Sequence, residues 1–267
     1  MRIGFVGAGR MGRPMIGRLV SAGHTVRAVG RSAESRAALA EIGAEPVATV
    51  AEAADKAGAV VVCVFTDDQV REVCLGGSLL HELPRTAVLI VHTTGSPATV
   101  TEIAAAAPAV EVVDAPVSGG PHNIATGELT VFLGGTDEAV RRARPVVAAY
   151  ADPVLHVGPL GAGQRVKLVN NALFAAQIGL VADAVRLGGQ LGVNEATLLA
   201  ALPHASSGGR AVSSVAGRGA VEAFRASVGE FLRKDVAVAR ALVAELGGAL
   251  GILDAAIDAG IPATDRN

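Results

Sequence analysis

Three glycines spaced as Gly7-Ala8-Gly9-Arg10-Met11-Gly12 follow directly on the apolar run Ile3-Gly4-Phe5-Val6. At this spacing the first glycine lets the chain turn sharply out of a strand. The second brings bare backbone up to a phosphate, and the third lets the next helix pack closely on that strand. An anion held there meets unpaired amides and the positive end of a helix dipole. A helix-compatible stretch over residues 10–22 and a second β-type run over 25–29 complete a βαβ unit of ordinary length. Gly7, Ala8, Gly9, Arg10, Met11 and Gly12 are therefore the expected cradle of a dinucleotide's pyrophosphate. The second strand closes on Gly30-Arg31-Ser32, where a site for NAD usually carries an acid for the ribose hydroxyls. No carboxylate stands there to repel a 2′-phosphate, and Arg31, with Ser32 beside it, offers a planar guanidinium to pair with one. The expected cofactor is NADP(H), with NAD(H) as the second choice.

A second group of reactive side chains sits in the apolar stretch from Gln164 to Gly189. At about 100° per residue, Lys167, Asn170 and Asn171 share one arc of a helix and point into one space. An ammonium buried among apolar residues is costly without partners. A lysine so placed either snorkels to solvent from the helix's first turn or is held inside to move a proton.

Other reactive residue types are scattered. His156 and His204 have no partner at metal-ligand spacing, His92, preceding Thr93, reads either as a residue near the active site or as a loop histidine solvated or hydrogen-bonded locally, and Asp67-Asp68 reads as a helix cap, so no metal is expected. Cys63 and Cys74 form no disulfide framework and read as buried thiols in a reducing cytoplasm.

The elements that must position these groups follow from the hydrophobic pattern. Residues 2–7, 25–29, 59–65, 87–91, 110–114, 129–133 and 153–156 are β-type runs between helix-compatible stretches. Several are apolar throughout, as strands covered on both faces are. The expected fold is α/β, a Rossmann-type, doubly wound, mainly parallel sheet followed by an all-α C-terminal domain, with the boundary after residue 161. Residues 1–161 would bind the nucleotide. Residues 162–267, opening on a helix from about Gln164 to Gly189 and broken by a loop at Ser206-Ser207-Gly208-Gly209, would serve substrate binding and dimerisation. With 51% hydrophobic and 18% charged residues, a net charge of −2 and no Trp, the 267-residue chain can bury a large core and has no footprint for nucleic acid. No run of about 18 uninterrupted apolar residues is present and the chain enters a strand at once, so the reading is a cytoplasmic protein with no membrane partner.

Four segments resemble the β-hydroxyacid dehydrogenase family, which includes 3-hydroxyisobutyrate dehydrogenase and, more distantly, 6-phosphogluconate dehydrogenase. They are Gly7 to Met15; Asp114-Ala115-Pro116-Val117-Ser118-Gly119-Gly120; Gly161-Ala162-Gly163-Gln164-Arg165-Val166-Lys167-Leu168-Val169-Asn170-Asn171; and Lys234-Asp235. Thr93-Thr94-Gly95-Ser96-Pro97 is similar to a fifth. The resemblance implies an oxidoreductase interconverting a small β-hydroxy acid and its semialdehyde or keto acid. It implies that Lys167 is the general acid and base, that Asn171 binds substrate and helps hold Lys167, and that Ser118, Gly119 and Gly120 grip the substrate's carboxylate. Thr94 would lie by the nicotinamide, Lys234 would reach cofactor and substrate, and Asp235 would serve either there or as a structural partner. A homodimer or homotetramer built through the helical domain is implied as well.

Three features depart from the family's pattern. Pro121-His122-Asn123-Ile124 is bulkier than the small residues usual after the glycine pair, Gly30 stands where many NADP-using members have Asn, and the chain ends at Asn267 without the usual tail. These imply a reshaped substrate pocket and a more open site, or one completed by a second subunit. Two other functions compete. An imine reductase shares the architecture but usually replaces the lysine with Asp or Tyr, and a non-catalytic NADP-binding module would have no need of Lys167, Asn171 and Ser118.

Overall fold

In the computed structural model residues 1–261 are described, so the expectation attached to Asn267 lies outside them. The chain divides into two compact units, Met1–Lys167 and Leu168–Asn267. In the first, strands β1 (Arg2–Val6), β2 (Thr25–Val29), β3 (Glu45–Val47), β4 (Ala59–Val62), β5 (Val88–Val91), β6 (Glu111–Asp114), β7 (Val117–Ser118), β8 (Leu129–Gly134) and β9 (Ala151–Gly158) form one sheet. Its order is β3-β2-β1-β4-β5-β6-β8-β7, with β9 also paired to β8. Helices α1 (Gly12–Ser21), α2 (Ala33–Glu41), α3 (Val50–Ala54), α4 (Asp67–Cys74), α5 (Leu79–Glu82), α6 (Pro97–Ala106), α7 (Pro121–Thr126) and α8 (Asp137–Val147) connect the strands.

All pairings are parallel except those of β8 with β6 and β7. One register runs through both antiparallel pairings, Asp114 opposite Gly134, Val117 opposite Val131 and Ser118 opposite Thr130, so β6 and β7 are a single strand interrupted at Ala115-Pro116. The uniformly apolar strands are explained by burial on both sides. Phe5, Val61 and Ile90 enter one hydrophobic cluster while their neighbours Val6, Val60, Val62, Leu89 and Val91 enter the other. Each large side chain so buried contributes about 1.5–3 kcal/mol. The sequence reading missed β3 and β7. The first is three residues of edge strand containing Pro46, and the second is two residues, too short for any periodicity to register.

Helix α9 (Ala162–Gln190) runs through the division between the units, beginning two residues ahead of the expected Gln164. It is long and apolar enough, by length and composition alone, to cross a membrane. Beyond Lys167, however, its face bearing Ala172, Ala175, Ala176, Ile178 and Val181 belongs to the core of the second unit, so it reads as a core helix. That unit is otherwise α10 (Glu195–Ala201), a 3-10 turn at Leu202–His204, α11 (Arg210–Arg218), α12 (Val221–Glu245) and α13 (Ile252–Gly260). Its helices close over Leu199, Val215, Phe224, Leu232, Val236 and Ile257. The loop expected at 206–209 is present.

Candidate active site

Two of the three glycines, Gly7 and Gly12, have the backbone roles that their spacing predicts. Gly7 stands at φ +105°, and a Cβ on it would run into the Cys63 carbonyl at the end of β4. A Cβ on Gly12 would strike the Gly7 carbonyl and the Phe5 ring, so α1 sits on the strand only because that position is bare. A Cβ on Gly9 would meet nothing, and Gly9 and Arg10 are exposed. Helix α1 has no side-chain cap and no acid in its first turn. In contrast α2, α3, α4, α6 and α8 are each capped by a Ser or Thr side chain. An open approach onto a helix start that lacks an internal anion fits a pyrophosphate.

At the end of β2, Ser32 caps α2 by accepting the Ser35 N–H at 3.1 Å, and Arg31 is exposed. Gly30 is buried because the Arg36 side chain crosses it. The guanidinium donates to the Gly30 carbonyl at 2.9 Å, and a Cβ there would lie 2.6 Å from Arg36 Cγ. An Asn at this position would displace Arg36, a local reason for the departure from the family's pattern.

The loop after β5, which carries Thr94, is fastened on three sides. The Thr93 hydroxyl accepts the Val64 N–H at 2.9 Å and donates to the Val64 carbonyl at 3.0 Å. Asp67 accepts the Ser96 N–H at 3.1 Å and the Thr99 hydroxyl at 2.5 Å. Gln164, 1% exposed in the first turn of α9, accepts the Gly95 N–H at 3.0 Å and donates to the Thr93 carbonyl at 2.8 Å. Asp67 was expected to cap α4. That role belongs to Thr66, and the Asp67 carboxylate reaches the next loop instead.

Asp114, at the end of β6, fastens α9 from the other side, accepting the N–H groups of Gly161 and Gln164, both at 2.7 Å. The contact is close enough that a Cβ on Gly163 would lie 2.5 Å from the Phe132 carbonyl. Burial pushes the Asp114 carboxyl up to about 6, against the pull of those two amides and Arg165. Lys167 follows one turn later and is 8% exposed. Asn171, one further turn along, lies about 40° from it around the axis. Within the second unit, Asn171 donates to Asp235 at 2.5 Å, and the Lys234 ammonium is 2.5 Å from the other oxygen of that carboxylate. Asp235 is thus a buried partner to both. Asn170, expected to share the arc, is bonded through its amide to Asn171 Oδ1.

Ser118 ends β7 and Gly119 follows it. Gly119 adopts φ +130°, which a side chain would rarely allow, and the Gly120 N–H donates to Asn123 Oδ1 at 2.9 Å. The glycine turn, the Thr94 loop, the Ser118 loop and the first turn of α9 are thereby gathered at the carboxyl edge of the parallel strands, where ligands of such sheets bind.

His92 lies in the loop after β5, as expected, but at 2% exposure it is neither solvated nor bonded only locally. Its Nδ1–H donates to the Ala115 carbonyl at 2.5 Å and its Nε2 accepts the Tyr150 hydroxyl at 2.7 Å. Burial lowers its pKa to about 4, so the ring is neutral, tying the end of β5 to the start of the Ser118 loop. Gln164 and Asp67 were also missed as positioning residues, because their partners lie far off in sequence.

Residues 2–158 match a family described as the NAD-binding domain of 6-phosphogluconate dehydrogenase. Residues 161–259 match the NAD-binding family of NADP-dependent 3-hydroxyisobutyrate dehydrogenase. The chain is 36% identical to a NAD-dependent L-serine dehydrogenase of Pseudomonas aeruginosa, over 78% of this chain and 70% of that protein. It is 33% identical to a 3-hydroxyisobutyrate dehydrogenase of the same organism, over 79% and 72%. The solved structure of Mycobacterium tuberculosis 3-hydroxyisobutyrate dehydrogenase with L-serine superposes with a TM-score of 0.85 at 29% identity, covering 96% of this chain and 91% of that one. The glycine turn, the strand order and these likenesses agree that the chain belongs to the β-hydroxyacid dehydrogenase family, nicotinamide-dependent oxidoreductases acting on CH–OH groups.

Proposed function

We propose that this protein is an NADP(H)-preferring enzyme interconverting a small β-hydroxy acid and its semialdehyde or keto acid, with Lys167 as general acid and base. The observation that carries the reading is the mounting of Lys167. It is a buried lysine one turn beyond a helix start that Asp114 ties to the end of β6 and Gln164 ties to the loop bearing Thr94. The nicotinamide, when bound, supplies the hydride chemistry. Lys167 delivers a proton to the substrate's carbonyl oxygen in reduction and withdraws the hydroxyl proton in oxidation, work that depends on alignment as much as acidity. Asn171 orients the substrate, held in turn by Asp235. Ser118 and Gly119, with Gly120 beside them, receive the acid group, and Thr94 and Lys234 contact the cofactor. In this reading residues 7–12 hold the pyrophosphate and Arg31 and Ser32 the 2′-phosphate. Residues 1–161 form the cofactor domain, and the helical remainder serves substrate binding and dimerisation.

An NADPH-oxidation screen over small semialdehydes, keto acids and cyclic imines tests the proposal, with kcat/KM compared between NADPH and NADH. Turnover of a carbonyl acid is expected, with NADPH preferred. Lys167→Ala is expected to lower kcat by 10²-fold or more while dinucleotide affinity stays within about threefold. Unchanged turnover in that variant removes Lys167 from the mechanism, a preference for NADH removes the role of Arg31, and reduction of imines alone favours the imine reductase reading.

A further inference from the structure

The turn expected to receive the acid group is half closed from within. The Gly120 N–H already donates to Asn123 Oδ1 at 2.9 Å, and a Cβ on Gly119 would lie 2.8 Å from that same oxygen. Two successive glycines are thus folded round one side-chain carbonyl, which occupies the position that an external carboxylate oxygen would take on Gly120. The neighbouring His122 ring lies over Gly120, its Nδ1 3.1 Å from where a Cβ would stand. The Ser118 hydroxyl, in contrast, has no intramolecular hydrogen-bond partner among the described residues.

An amide N–H donating to a carboxylate makes a bond about twice as strong as one donating to a neutral oxygen. Taking one donor away therefore penalises an anionic end group more than a neutral one. We propose that Asn123 is a specificity-determining residue. By occupying the Gly120 amide it leaves a bound acid one donor short, so that the protein accepts small carbonyl compounds ending in a neutral polar group alongside those ending in a carboxylate. The inference rests on the proposed anchoring of substrate by residues 118–120.

The test compares the unaltered protein with Asn123→Ala and Asn123→Asp in two assays. Calorimetry on the protein saturated with oxidised dinucleotide measures the affinity of propionate, an unreactive anion. NADPH oxidation measures the ratio of kcat/KM between a semialdehyde acid and its primary amide. Asn123→Ala releases the donor and is expected to tighten propionate about tenfold and to move the ratio about tenfold toward the acid. Asn123→Asp keeps an acceptor on Gly120 but adds a negative charge, and both readings are expected to move the opposite way. Because the two variants have opposite signs, a general loss of fold cannot imitate the pattern. Propionate affinities within twofold across all three proteins overturn the proposal, as do flat ratios where turnover is measurable. If no protein turns over either substrate while the calorimetric pattern holds, the role of Asn123 stands and the proposed reaction falls.

Discussion

Asp114 accepts two backbone amides from a position with no access to solvent, and the two demands oppose one another. The amides favour the carboxylate and desolvation favours the acid, and desolvation is the larger, so its pKa stands near 6 when folded against about 4 when unfolded. A carboxyl raised on folding binds its proton more tightly in the native state. Its contribution to stability is present below pH 4 and lost as pH rises through 6. Asparagine does not titrate, so urea unfolding of the natural protein and of Asp114→Asn is expected to show a stability difference that changes between pH 4 and 6 and is flat above 7. Asp114→Asn also leaves one carboxylate-bonded amide facing an NH₂ group, a fixed loss of about 1–3 kcal/mol. The residues legible in the sequence were those whose reason is local. Gly7 is demanded by its own positive φ and Gly12 by the Gly7 carbonyl five positions back, and the burial of Lys167 follows from its place in an apolar helix. The burial of His92 was not legible because Tyr150, the partner that makes it tolerable, lies 58 residues away.

Among the elements, α9 shows how a sheet transmits position to a helix. Gln164 bridges 69 residues back to Gly95 and 71 to Thr93, and both backbone groups are buried. Gln164→Ala is expected to raise the dinucleotide KM severalfold and to cost about 2–4 kcal/mol in unfolding free energy, since two buried groups lose partners. Gln164→Glu, which keeps the acceptor and loses the donor, is expected to fall between. Steady-state kinetics and denaturant titration check both. The parallel strands were readable because burial on both faces leaves uninterrupted apolar runs. The two-residue β7 was not, because its pairing is inherited from the register of β6 along β8 and not from its own sequence. The helical character of the C-terminal part was readable from the absence of such runs after residue 161.

For the molecule as a whole, the outward face of α9 is the feature with the plainest consequence. Val169, Leu173, Leu180 and Leu187, together with Leu191 just beyond the helix, recur at intervals of four and seven residues and are 46–73% exposed. A stripe with that period matches a second copy of itself and suits a dimer seam. Light scattering is expected to report a dimer, and Leu180→Lys to shift it toward monomer. A monomeric natural protein would set the seam aside. Composition alone could signal that α9 is apolar nearly all round. Which side faces the core and which faces outward depended on α12 and α13, whose packing leaves no local trace in residues 162–190.

The bare backbone at Gly163 and the two amides held by Asp114 anchor the first turn of α9 in both rotation and rise. Whatever happens further along that rod, bending, fraying or drift in composition, the azimuth of the ammonium six positions beyond Gly161 is inherited from the strands. Downstream positions are thereby excused from aiming that side chain, and are at liberty to diverge.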